Sequence, residues 1–129
     1  MSVSRARDDA LGIFFQPNGG ENIYYQVQTN TKGVGYDQKA RFGVKDNTFK
    51  SGKAVVCRKY PGYWTAVIKL PRETIGAAGR LDNTKAQFFR VMRNNLLQPA
   101  VWSPIQRAKK EGSGGKVHDQ SRWGQVVFQ

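Results

Sequence analysis

Short apolar runs that alternate with clusters of turn-forming residues constrain this chain more than any other feature. Residues 11–15 form an apolar run that ends in Gln-Pro-Asn-Gly-Gly at residues 16–20, and the next run, residues 22–29, alternates around Tyr25 and Val27. Period-two alternation is typical of half-buried strands, and clusters of Gly, Pro and Asn favour tight turns. The pattern therefore predicts a β-hairpin near the start of the chain.

The same pattern continues to the end of the chain. Val34, Tyr36 and residues 40–44 are expected to extend the meander, and residues 54–59 and 63–70 are expected to form a second hairpin around Tyr60-Pro61-Gly62. In the strand at residues 63–70, one face is expected to carry Trp64, Ala66, Ile68 and Leu70. One helical turn is predicted over residues 71–76, and strands are predicted over residues 86–92 and 123–128. Six or seven short strands with little helix predict an all-β fold, an antiparallel β-sandwich of the jelly-roll or immunoglobulin-like type.

The composition is that of one folded, strongly basic domain. The chain has 129 residues, 39% of them hydrophobic, and carries a formal net charge of +12. We expect a basic N-terminal arm at residues 1–7, a single sandwich domain at residues 8–129, and a flexible basic loop at about residues 107–118. No apolar run has the length of a membrane-spanning helix, and no apolar stretch near Met1 has the length that a signal peptide needs.

Cys57 is the only cysteine and His118 the only histidine. A single cysteine excludes an internal disulfide and a thiolate zinc site. A nucleophilic Cys57 paired with His118 is conceivable, but Cys57 lies in an alternating run. We therefore interpret Cys57 as a half-buried strand residue.

Several motifs occur in the order seen in one known family. They are DDALGIFFQP at residues 8–17, YYQV at 24–27, WTAVIKLP at 64–71, RVMR at 90–93, WSP at 102–104 and RWG at 122–124. In this order the chain resembles family 9 carbohydrate-binding modules and their DOMON-like relatives over roughly residues 8–128. The resemblance implies a non-catalytic β-sandwich beside glycan-degrading enzymes, with sugar held between tryptophans in some members and haem or calcium in others. It also suggests an extracellular or periplasmic location.

The sequence departs from the family pattern at several positions. Gly12, Val67 and Ser121 stand where acidic residues are usual. Family members also place strands ahead of the double-aspartate motif. Either strands outside this chain or another segment must then cover the edge of the Leu11–Phe15 strand, and a partner chain completing the sheet is one such expectation.

Sugar recognition needs flat aromatic rings and planar polar side chains that bond hydroxyl groups. Trp102, in an irregular stretch, is the best stacking candidate, although a tryptophan plugging the end of the sandwich would look the same. Trp64 and Trp123 are interpreted as core residues. The candidate hydroxyl partners are Arg90, Arg93, Asn94, Asn95 and Gln98, for which a solvated strand end is the competing interpretation.

Cofactor and catalytic chemistry receive little support from the sequence. Calcium would need several convergent carboxylates, and the candidate donors are Asp8, Asp9, Glu21, Asp37 and Asp46. Haem ligation by Met92 and His118 is a weaker alternative, because a strand methionine is usually core and a loop histidine is usually solvated. No paired carboxylates or Ser-His-Asp grouping stand out. We therefore expect no cofactor and no enzymatic activity.

The charge supports a second hypothesis, a basic structural or interaction subunit that has lost the sugar site. Its partner would be a polyanion, such as RNA or a sulfated or uronic-acid glycan, or an acidic protein. The candidate polyanion contacts are Lys45, Lys50, Lys53, Arg107, Lys109 and Lys110. Tyr24, Tyr25, Phe42 and Tyr60 are candidate stacking residues for nucleic-acid bases. No local signature of a nucleic-acid-binding fold is present.

Overall fold

The chain is all-β in its computed structural model, which describes residues 9–76, 83–92, 95–101, 118 and 120–126. The strands are β1 (Ala10–Gln16), β2 (Ile23–Asn30), β3 (Gly35–Arg41), β4 (Val44–Asp46), β5 (Ala54–Tyr60), β6 (Tyr63–Lys69), β7 (Thr84–Met92), β8 (Asn95–Val101) and β9 (Gly124–Val126). A short 3₁₀ turn, Gln120–Arg122, precedes β9. Both predicted hairpins are confirmed, with β1 paired to β2 and β5 paired to β6.

The strands form a large antiparallel sheet and a separate two-stranded sheet, the arrangement expected of a β-sandwich. The large sheet has the order β4-β3-β2-β1-β7-β8, and β9 also pairs with β7. β5 and β6 make the small sheet. The prediction of an all-β antiparallel fold is therefore confirmed.

β1 lies inside the large sheet. It is flanked by β2 on one side and by β7 on the other, along nearly its whole length. Of the two alternatives that the sequence left open, another segment of the chain covers this strand, because β7 supplies its second neighbour. Pairing β1 with β7 joins residues about 75 positions apart, and period-two patterns carry no information about such long-range pairing.

Hydrophobic clusters pack on both faces of the large sheet. Phe14, Tyr24, Ala40, Phe89 and Trp123 form the cluster on one face, which we call the tryptophan face. The other face buries Phe15, Tyr25, Ile75 and Ala86, and Phe49 and Leu70 pack against them. Because both faces are covered, most of β2 is buried on both sides rather than on alternate residues.

The small sheet keeps the alternation that the sequence predicts. Trp64, Ala66 and Ile68 share its half-buried face, so Trp64 lies on the inward side of the hairpin as expected. Cys57 is also half-buried, and its thiol donates to the carbonyl oxygen of Asn30 at 3.4 Å. The strand interpretation of Cys57 is confirmed.

Residues 72–76 form hydrogen-bonded turns rather than the predicted turn of helix. The Thr74 hydroxyl bonds to the carbonyl oxygens of Ser51 and Pro71, at 2.6 and 2.9 Å. Gly76 has a φ of +67°, which ends any helical path. Within the described residues, no helix has the length and hydropathy to cross a membrane.

Candidate functional site

Most of the residues predicted to contact sugar lie outside the part of the chain that the structure describes, or have side chains that it does not describe. Trp102, Arg93 and Asn94 fall outside the described residues, as do Asp8, Arg107, Lys109 and Lys110. Asn95 and Gln98 lie on β8, but their side chains are not among those described. Arg90 is exposed on β7. The structure therefore leaves the predicted stacking role of Trp102 as a prediction.

A polar cleft that the sequence did not indicate lies at the end of β1. Its volume is about 230 Å³. The lining residues are Gln16, Gly19, Gly20, Glu21, Asn22, Lys85, Gln120 and Ser121. These come from the β1–β2 turn, the start of β7 and the 3₁₀ turn before β9, so three separate parts of the chain form the cleft.

The β1–β2 turn holds its shape through its own hydrogen bonds. The side-chain oxygen of Asn18 accepts from the N–H of Gly20 at 3.0 Å, and its carbonyl oxygen accepts from the N–H of Glu21 at 3.0 Å. Gly19 donates to the carbonyl oxygen of Asn83 at 2.6 Å, and a Cβ at Gly19 would lie 2.8 Å from the Asn83 side chain. Glycine at this position therefore permits the turn to approach the segment that leads into β7.

Gln16 is a buried residue in the lining of the cleft. Its side chain is 4% exposed, and its Nε2 donates to the carbonyl oxygen of Glu21 at 2.8 Å. Because a carbonyl oxygen can accept only from the NH₂ group, this bond determines which way the amide faces. Oε1 is left buried without a hydrogen-bond partner.

Gln120 contributes the complementary group, a buried donor. The side-chain Nε2 of Gln120 also has no hydrogen-bond partner, whereas the backbone carbonyl oxygen of Gln120 accepts from the N–H of Trp123 at 3.2 Å. A buried polar atom without a partner costs about 1–3 kcal/mol.

Charged groups of both signs complete the cleft. Lys85 lies directly opposite Gln16 in the β1–β7 pairing, so both side chains leave the same face of the sheet. Glu21 accepts from Asn18 Nδ2 at 3.3 Å through one of its carboxylate oxygens. Amide, carboxylate and ammonium groups around one small space can bond hydroxyl groups, which both donate and accept.

The aromatic residues near this cleft belong to the core. Trp123 is 5% exposed, and its ring stacks on Phe14 with centroids 5.2 Å apart. The prediction that Trp123 is a packing residue is confirmed. Tyr24 and Tyr25 are buried as well, at 5% and 6% exposure, so the prediction that they stack on nucleic-acid bases is wrong.

His118 is not a solvated loop residue as predicted. Its ring lies 4.6 Å from the Phe14 ring, and its Nδ1 shares a hydrogen bond of 2.9 Å with the Tyr24 hydroxyl. Burial, followed by the positive charge of Lys45, lowers the pKa of His118 to about 4. Burial also raises the pKa of Tyr24. The ring is therefore a neutral part of the tryptophan-face cluster at pH 7.

Two of the candidate calcium donors, Asp37 and Asp46, hydrogen-bond to other groups of the protein. Asp37 pairs with Lys53 Nζ at 2.6 Å and accepts from the N–H of Ser51 at 2.7 Å. Burial alone would raise the pKa of Asp37, but these hydrogen bonds outweigh burial and lower it. Asp46 accepts from Thr48, which lowers the pKa of Asp46. Among the described residues, no group of three His, Cys, Asp or Glu side chains is placed to hold a metal ion.

The predicted polyanion contacts separate into two kinds. Lys45 and Lys50 are exposed. Lys53 is half-buried and holds Asp37, so its charge is balanced within the fold. Lys53 therefore has a structural role in the fold, and its contact with a polyanion stays a prediction.

Sequence reasoning identified residues 16–20 only as a turn and did not place Lys85 or Gln120 near them. Local sequence patterns do not predict the cleft, because it depends on the pairing of β7 with β1 and with β9. No protein-family model, curated protein or solved structure matches this chain.

Proposed function

We propose that the chain is a non-catalytic carbohydrate-binding module and that the polar cleft at the end of β1 contacts the sugar. One observation carries the proposal: amide, carboxylate and ammonium side chains, from Gln16, Gln120, Glu21 and Lys85, line one small cleft. The buried atoms Gln16 Oε1 and Gln120 Nε2 have no hydrogen-bond partner in the fold. A sugar ring carries adjacent hydroxyl groups, each able to donate to one and accept from the other. The resemblance to family 9 carbohydrate-binding modules supports the same class of ligand.

The charged residues of the cleft suit hydroxyl groups better than a net anion. Glu21 would repel an anionic ligand, while Lys85 would attract it, so the two largely offset each other in the cleft. Neutral sugar hydroxyls satisfy both. In this proposal Glu21 accepts and Lys85 donates, and the amides of Gln16 and Gln120 border the same cleft. Trp102, which lies outside the described residues, is the stacking residue that the sequence predicts.

The test is calorimetric titration with neutral oligosaccharides of the gluco, xylo, manno and galacto series. Binding should persist at about 0.5 M NaCl, where the screening length is only a few ångströms. Lys85→Met should weaken binding by about 10- to 100-fold, as expected for loss of a charge-assisted hydrogen bond. Trp102→Ala should abolish it.

Lys69→Met is the matched control, because Lys69 is an exposed lysine on β6 away from the cleft. It should bind as the parent does. If no neutral oligosaccharide binds, or if Lys85→Met binds as well as the parent, the site assignment is wrong. Turnover of polysaccharides or aryl glycosides by the purified chain would contradict the non-catalytic part of the proposal.

A second candidate function is polyanion binding, and the exposure of Lys45 and Lys50 favours it. Binding to heparin or RNA should then collapse between about 0.05 and 0.5 M NaCl, because it depends on counterion release. Lys45→Ala combined with Lys50→Ala should reduce the steepness of that salt dependence. A protein that binds oligosaccharide but shows no such salt-sensitive binding excludes this second function.

A further inference from the structure

The tip of the β3–β4 hairpin carries a large apolar side chain where the backbone disfavours it. Arg41 pairs with Val44, so Phe42 and Gly43 form the two-residue turn between them. Their φ angles are +51° and +79°. Turns with positive φ at both central residues usually hold Asn, Asp or Gly at the first of them, because a bulky side chain is strained in the left-handed region. Phe42 is therefore a costly choice for the turn alone.

Contacts of the Phe42 side chain within the described fold do not offset the strain of its positive φ. Phe42 is 72% exposed and Val44 is 73% exposed. A Cβ added at Gly43 would meet nothing within 4 Å, so the tip projects into open space. Strained backbone positions cluster at ligand and interaction sites, and an exposed apolar side chain at such a position can insert into an apolar phase.

The tip is also fixed relative to the sheet. The N–H of Phe42 donates to the carbonyl oxygen of Asn22 at 2.8 Å, which ties the turn to the loop before β2. Asp46, the nearest acidic residue along the strand, is directed to Thr48, whose N–H and hydroxyl lie 2.8 and 2.6 Å from its carboxylate. Exposed Arg41 and Lys45 flank the apolar pair.

We infer that this tip, defined as Arg41, Phe42, Gly43, Val44 and Lys45, inserts into the surface of an anionic lipid bilayer. Phe42 and Val44 enter the boundary between headgroups and acyl chains, while Arg41 and Lys45 contact lipid phosphates. A stable protein complex buries about 800 Å² on each partner, more than a convex two-residue turn offers. A bilayer requires no matching groove, and its negative surface attracts the two cations.

The test is co-sedimentation of the chain with vesicles of phosphatidylcholine alone or with about 30% phosphatidylserine. The parent should partition onto the anionic vesicles and far less onto the neutral ones. Phe42→Asn should lower the partition coefficient by about tenfold or more, consistent with the loss of one buried aromatic side chain. Its melting temperature should equal or exceed the parent's, because Asn tolerates a positive φ.

Val44→Thr and Val67→Thr form a matched pair. Both valines are exposed strand residues, at 73% and 67%, but Val67 lies on β6. Val44→Thr should weaken vesicle binding and Val67→Thr should leave it unchanged. Equal losses in both variants would show general apolar adsorption and overturn the inference.

Two other outcomes would also overturn it. One is a parent protein that does not bind the anionic vesicles. The other is binding of a single-stranded oligonucleotide that depends on Phe42 while vesicle binding does not, which would make the tip a base-stacking surface. The oligosaccharide titration is unaffected by either result, so this inference and the proposed function succeed or fail separately.

Discussion

His118 shows how a single side chain acquires its chemistry from its neighbours. Its ring lies against Phe14 and its Nδ1 bonds to Tyr24, so protonation would place a charge inside an aromatic cluster. Sequence alone favoured a solvated histidine, because residues 112–115 are mostly glycine. Burial by residues nearly a hundred positions away has no local signature.

We predict that the fold loses stability as the pH falls from about 6.5 to about 4. The pKa of His118 is lowered from 6.5 in the unfolded chain to about 4 in the fold. Between these values the unfolded chain binds the proton more tightly than the folded chain does. The free energy of unfolding therefore falls as the pH falls, and the contribution of His118 to stability is fully present above about pH 6.5. For a half-buried ring screened by solvent, the loss is about 1–2 kcal/mol.

Urea denaturation at a series of pH values measures this effect, and His118→Gln is the comparison. The variant should lose less stability than the parent between pH 7 and pH 4. Identical pH profiles for the two proteins would show that His118 is not the titrating group. Asp37, with its lowered pKa, destabilises the fold only at still lower pH and does so in both proteins.

At the scale of elements, the pairing of β1 with β7 explains why residue 12 is a glycine. Gly12 lies opposite Phe89. A Cβ at Gly12 would be 2.0 Å from the Phe89 ring. The Phe89 ring on β7 therefore occupies the space that a side chain at residue 12 on β1 would need.

We predict that Gly12→Ala destabilises the fold by about 1–3 kcal/mol through overpacking. Phe89→Leu should remove part of that penalty, so the double variant should be more stable than the sum of the single effects predicts. Chemical denaturation of the four proteins measures the coupling. Strict additivity would mean that the two side chains do not compete for the same space.

The elements also show what alternation can and cannot predict. Both hairpins were predicted because each turn combines Pro, Gly or Asn with flanking alternation, as at Tyr60-Pro61-Gly62 between β5 and β6. The turn at residues 72–76 was wrongly predicted as helical. The Thr74 hydroxyl in this turn donates to the carbonyl oxygen of Ser51. Local helix propensity cannot predict a hydrogen bond to a residue so far away along the chain.

At the scale of the whole molecule, the formal net charge of +12 places an excess of positive charge on a domain of 129 residues. Lys53 pairs with Asp37 at 2.6 Å, and this ion pair ties β3 to the segment before β5. Cations such as Lys45, Lys50, Arg58 and Lys69 are exposed. Like charges on one small domain repel each other, and folding brings them closer together.

We therefore predict that moderate salt stabilises the fold. The melting temperature should rise by roughly a few degrees between about 0.02 and 0.3 M NaCl, because screening reduces the repulsion. Sucrose at matched osmolality is the control for exclusion effects and should not reproduce the steep initial rise. A melting temperature that falls with NaCl would show that attractive ion pairs outweigh the repulsion.

The sequence by itself determined the all-β class, the two hairpins and the basic character of the chain. These follow from neighbouring residues, because alternation, turn chemistry and charge are local properties. The tertiary structure alone decided that β1 is an inner strand, that Gln16, Lys85 and Gln120 line one cleft, and that His118 is buried. Each of these depends on contacts between distant segments, whose register and packing are set by the whole core rather than by any local pattern.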